Sequence, residues 1–113
     1  AHVWRKEVTL FGLFTNEQLS LIARALADPI RYQILDSIAR ANPEDATPCC
    51  SIEMCVCDIQ VDLGLKQSKV SYHLKELKNV GLVHERKQGK WNYYSVNQAM
   101  LKVFCEALSR RFS

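Results

Sequence analysis

One glycine restricts this chain more than any other residue. Gly64, in Leu63-Gly64-Leu65, separates a short apolar-periodic run, Val56–Leu63, from a longer basic one that extends from about Gln67 to Val80. Glycine supplies the left-handed backbone that ends one helix and turns the chain into the next. Two helices joined by so short a turn form a helix-turn-helix. In the second, Val70, Leu74 and Leu77 make an inward stripe, while Ser68, Ser71, Tyr72, Lys75 and Lys78 lie on the opposite face. Gly81 stops it.

The flanking segments complete a small domain of 113 residues. Residues 1–14 are an N-terminal arm without clear period. Thr15 or Asn16 can cap a helix that carries Leu19, Ile22, Ala23 and Leu26 at helical spacing. Asp28-Pro29 is a cap followed by proline at the first helical position, so a second helix starts there, with Ile30, Ile34, Leu35 and Ile38 inward. Asn42-Pro43 and Thr47-Pro48 break the pattern, and this loop is long for a helix–helix connection. After the helix-turn-helix of residues 55–80, Leu82–Lys87 and Trp91–Val96 read as strands of a hairpin around Gln88-Gly89-Lys90, a wing over 82–96. A last helix over about 98–112 places Met100, Val103, Phe104, Ala107, Leu108 and Phe112 on more than one stripe. A second buried face in so small a domain predicts a subunit contact. The predicted fold is therefore a single winged helix-turn-helix, mainly α with a small β-hairpin, and homodimeric.

Charge is segregated. Residues 66–90 hold seven Lys or Arg against Glu76 and Glu85, whereas residues 41–65 hold five acids and no Lys or Arg. That pattern predicts a polyanion on one side and a cation on the other. Gln67, Ser68, Ser71 and Tyr72 offer hydrogen bonds where base edges would lie. Lys66, Lys69, Lys75 and Lys78 can meet phosphates, and the hairpin tip with Arg86, Lys87 and Lys90 suits the DNA backbone or minor groove. His73 lies between the two faces and reads as a packing or phosphate-contacting group, not a metal ligand.

The thiol loop, residues 41–57, supplies the cation site. Four of the five cysteines, Cys49, Cys50, Cys55 and Cys57, fall within nine residues. Neighbouring cysteines rarely meet disulfide geometry. The odd count, and the lack of a signal peptide or transmembrane run, predict free thiols in a reducing cytoplasm and no membrane partner. Thiolates select soft ions. The fifth, Cys105, stands alone on an apolar helix and reads as core packing.

The chain resembles the arsenical-repressor family of metal-sensing winged-helix repressors (ArsR/SmtB). The residues that carry the resemblance are Ala25-Leu26-Ala27-Asp28-Pro29-Ile30-Arg31, Cys55-Val56-Cys57-Asp58-Ile59, Leu63 through Leu74, Gly81-Leu82-Val83 and Arg86-Lys87-Gln88-Gly89-Lys90 with Tyr93-Tyr94. It implies a homodimer on double-stranded operator DNA, its interface made by the first and last helices, with repression relieved by metal. In that family, arsenite and cadmium/lead sensors share Cys-Val-Cys-Asp. Some zinc sensors use Asp and His on the last helix, but residues 97–113 contain neither.

Residues two apart on a regular helix do not face each other, so Cys55 and Cys57 can share an ion only if that turn is extended or unwound. Binding would then unwind it and move the reading helix. A thiol near a helix N-terminus is also expected to ionise readily. Cys50, or Cys49, would supply a third ligand. Three thiolates suit As(III) or Sb(III), and four suit Cd, Pb or Zn; As(III) is the expected inducer. Asp58 could be a ligand, but reads first as a helix cap. A thiol-redox switch on the same fold is the alternative. No nucleophile–base pair suggests an enzyme, because His2, His73 and His84 are scattered.

Overall fold

The computed structural model describes residues 14–41 and 54–113. The arm before Phe14 and loop residues 42–53, with Cys49 and Cys50, lie outside them. Two helices, α1 (Asn16–Ala27) and α2 (Pro29–Ala39), precede a two-residue strand, β1 (Met54–Cys55). Then come α3 (Val56–Leu63), α4 (Gln67–Asn79), β2 (Val83–Gln88), β3 (Trp91–Val96) and α5 (Gln98–Phe112).

Local chemistry sets most boundaries. Thr15 and Gln18 form a reciprocal capping box, with Thr15 Oγ1 accepting from the Gln18 amide at 3.1 Å and Gln18 Oε1 from the Thr15 amide at 3.0 Å. Asp28 Oδ1 accepts from the amides of Ile30 at 2.8 Å and Arg31 at 3.2 Å, and Pro29 fills the first position of α2. Gly64, at φ 66°, ends α3 in the left-handed conformation, and its amide bonds the Gln60 carbonyl at 2.8 Å. Asn97 caps α5 through its Oδ1, 3.1 Å from the Met100 amide, and its Nδ2 donates to the Gly81 carbonyl at 2.9 Å.

The core lies where α2, α3 and α4 cross. Ile34, Ile38, Ile59, Val70, Leu74, Leu77 and Leu82 are all completely buried. At about 1.5–3 kcal/mol for each side chain withdrawn from water, this group dominates the favourable side of folding. It also packs α4 by its inner stripe, while Ser68, Ser71, Tyr72 and Lys75 on the outer face stay exposed. On α1 the buried alanine is Ala25, while Ala23 is exposed.

The hairpin expected from the sequence has a third strand. The sheet order is β1-β3-β2, all antiparallel, with Met54 opposite Tyr94, Cys55 opposite Tyr93, and Tyr93 opposite Arg86. A strand of two residues leaves no alternation to read, so only tertiary pairing reveals it. On α5, Phe104 is buried, whereas Phe112 is 78% exposed. Cys105 is also exposed in the chain, which corrects the expectation that it packs in the core. The helix turns that side chain away from the single stripe that one copy of the chain buries.

Candidate metal centre and nucleic-acid interface

Cys55 is at once the last residue of β1 and the N-cap of α3. Its backbone is extended (φ −84°, ψ 163°), and Cys57 sits in the first turn of an intact helix. That juncture brings the sulfurs together: Cys55 Sγ lies 2.8 Å from Cys57 Sγ. The unwinding expected from helical spacing is thus unnecessary, because the strand already supplies the extended residue. Asp58 does not cap α3, which has no side-chain cap. Instead its Oδ2 accepts from Cys55 Sγ at 3.2 Å. The two sulfurs and a carboxylate oxygen all lie within 4.8 Å of one another. Two soft donors and one hard donor within that span fit a thiophilic ion.

Cys55 is buried and Cys57 is exposed. Burial pushes the Cys55 thiol up from 9.0 to about 11, and the hydrogen bond with Cys57 and the Asp58 carboxylate add to the shift. The easy ionisation expected of a thiol at a helix start is reversed for Cys55.

The sulfurs open onto a cleft of about 260 Å³. Val56 and Gln60 of α3, Gln67 of α4, and Lys90, Trp91 and Asn92 of the wing also line it. The β1–α3 joint is anchored to α2. The buried Ser37 hydroxyl bonds Asp62 Oδ2 near the end of α3 and lies 3.5 Å from Met54 Sδ in β1.

The reading face is separate and exposed. Lys66, Gln67, Ser68, Lys69, Ser71, Tyr72 and Lys75 are all exposed along α4. His73 is not among them. It is 6% exposed and turned inward, with Nδ1 3.3 Å from the Arg31 guanidinium. Arg86, Lys87 and Lys90 are exposed on the wing, with Arg86 stacked 4.7 Å above the Tyr93 ring and Lys90 5.4 Å from that of Trp91. Lys78 Nζ donates to Glu85 Oε1 at 2.9 Å, and the Tyr94 hydroxyl donates to Glu85 Oε2 at 2.5 Å. These bonds hold the Glu85 carboxyl below its usual 4.5 and tie the end of α4 to the wing. No local spacing in the sequence marks the inter-element links through Ser37, Asp62, Glu85 and Tyr94.

The family model described as "Bacterial regulatory protein, arsR family" matches residues 28–85, just over half of the chain. An arsenical resistance operon repressor from Staphylococcus aureus is 33% identical over 93 residues, covering 82% of this chain and 79% of that one. An arsenic resistance transcriptional regulator, ArsR1, from Pseudomonas putida is 32% identical over 94 residues, covering 77% and 66%. The chain spans 65% of the length of a relative from Halobacterium salinarum and 61% of one from Bacillus subtilis. Among solved structures, the homodimeric winged helix-turn-helix DNA-binding domain Mb0332 from Mycobacterium bovis superposes with a TM-score of 0.63 at 27% identity, covering 84% of this chain and 79% of that one. No helix among the described residues is long and apolar enough to cross a membrane. The chain belongs to the ArsR family of winged helix-turn-helix transcriptional regulators.

Proposed function

We propose that this chain is a metalloid-responsive repressor that binds operator DNA as a homodimer and leaves it when As(III), or Sb(III), binds the thiols beside the helix-turn-helix. One observation carries the reading: the sulfurs of Cys55 and Cys57 converge at the joint between the wing sheet and the helix that leads into α4. Cys50 or Cys49, both outside the described residues, completes a three-sulfur set. Relatives named for arsenical resistance support the choice of ion. As each thiol replaces a hydroxyl of arsenous acid, its proton leaves with that hydroxyl as water. The exchange needs no outside base.

Contacts sort by role. Lys66, Lys69, Lys75, Arg86, Lys87 and Lys90 meet phosphates, while Gln67, Ser68, Ser71 and Tyr72 face base edges. Release follows from where Cys55 sits. Gathering a third sulfur onto the pair displaces β1 against β3 and α3 against α4, so the reading helix and wing lose their common alignment. The bound ion must favour that displaced arrangement, and a coupling of about 1–3 kcal/mol gives roughly 5- to 150-fold weaker DNA binding.

The Asp58 carboxylate beside the sulfurs favours a second reading, with Cd, Pb or Zn as the ion. Operator binding followed by anisotropy under reducing conditions separates the readings, with arsenite, cadmium and peroxide added in turn. Release by arsenite at the lowest concentration supports the first reading. Release by cadmium alone supports the second, and release by peroxide alone replaces both with redox sensing.

A further inference from the structure

Taking arsenite binding at Cys55 and Cys57 as the premise, we infer that the wing residue Trp91 forms the outer wall of the inducer's site. The sheet register gives the first reason. Cys55 pairs with Tyr93, so the side chains of Cys55, Tyr93 and Trp91, two residues along β3, lie on one face of the sheet. That makes Trp91 a diagonal cross-strand neighbour of Cys55. The cleft gives the second, because Cys55, Cys57 and Trp91 line the same space of about 260 Å³. The third is that Trp91 is 48% exposed. Its ring borders an opening and is not consumed by the core.

A soft ion held by sulfur presents an apolar, polarisable surface, and sulfur packs favourably against aromatic rings. Trp91 therefore covers the thiol-bound ion, shields its sulfur bonds from water and competing thiols, and slows its departure. Lys90, with Nζ 5.4 Å from the ring, travels with it, so the residue that covers the ion neighbours one that meets phosphate. Occupancy is communicated to the wing directly, in addition to the route through α3.

The test uses a Trp4→Phe variant of the full chain, whose sole tryptophan is Trp91, titrated with sodium arsenite under a phosphine reductant. Two signals are followed: near-ultraviolet absorption of sulfur–arsenic bonds, and Trp91 emission with its quenching by acrylamide. Both signals should saturate at the same arsenite ratio, acrylamide access should fall, and Cys57→Ser should abolish both. Trp91→Ala should weaken arsenite binding about three- to tenfold, with Trp91→Phe partly restoring it. Absorption that saturates while Trp91 emission and acrylamide access stay constant overturns the inference and leaves the arsenite reading intact. Absence of the absorption removes the premise and the inference together.

Discussion

Arg31 places its guanidinium 3.3 Å from Nδ1 of His73, across forty-two residues of sequence. The same side chain donates through Nε to the Ala25 carbonyl at 3.0 Å and lies 3.9 Å from Asp28 Oδ2. A guanidinium only donates, so Nδ1 accepts and the imidazole is neutral, with its proton on Nε2. The inner side of α4 is thereby tied to the α1–α2 junction.

Stability should fall in mild acid. Burial holds His73 below its ordinary 6.5, and Arg31 and Lys69 lower it further, against the opposing pull of Asp28 and Glu76. The unfolded chain takes up this proton near 6.5, and the folded chain only at lower pH. The contribution is therefore complete above about 6.5 and is lost as pH falls through the folded value. Urea midpoints measured between pH 7.5 and 5 should decline in the native protein and flatten in His73→Gln. Parallel slopes would reject the role given to His73.

The two thiols should separate in stability but not in function. Cys57 is exposed, so Cys57→Ser should change stability by no more than about 0.5 kcal/mol. Cys55 is buried against β3, and Cys55→Ser should cost about 1–2 kcal/mol. Either change should abolish release of DNA by arsenite while the protein still binds DNA. Denaturant titration and anisotropy check the two halves, and a Cys57→Ser protein that still responds would end the proposed site.

Tyr94→Phe removes one of the two bonds that hold Glu85. Tyr94 is 7% exposed, so the loss should be about 1 kcal/mol. Lys78→Ala should cost less, because that lysine is half exposed and its ion pair is screened. Both should raise the mobility of the wing relative to α4, read as faster amide exchange in β2. Unchanged exchange would show that the wing is held by its apolar side alone.

Lys69→Ala and Lys75→Ala should each weaken DNA binding on any sequence and reduce the slope of log affinity against log salt by about one. Ser68→Ala or Ser71→Ala should instead alter which duplex is preferred, with the salt slope unchanged. Titration at several salt concentrations distinguishes the two classes.

Much of the architecture is legible in the sequence because its signals are local. Asp28-Pro29 and Gly64 act through backbone groups a few residues away, and the start of α2 and the end of α3 follow from them. The thiol cluster is legible by composition, but its geometry is not. Helical spacing argues against convergence of Cys55 and Cys57, and the pairing of Met54-Cys55 with β3 overturns that argument from outside the segment. Asp58 is misread for the same reason, since Cys55 takes the capping position and leaves the carboxylate facing sulfur. Cys105 reads as core because an apolar helix suggests burial, yet one chain buries only the stripe around Phe104.

Cys55 is shared by a strand and a helix, so it has no slack of its own. On the proposed reading, a sulfur fixed at such a joint works as a calliper. Ions of different radius, gripped with equal strength, would prise strand and helix apart by different amounts. What the gene answers to would then be set by bond length, and two ions that bind equally well would leave different marks on transcription.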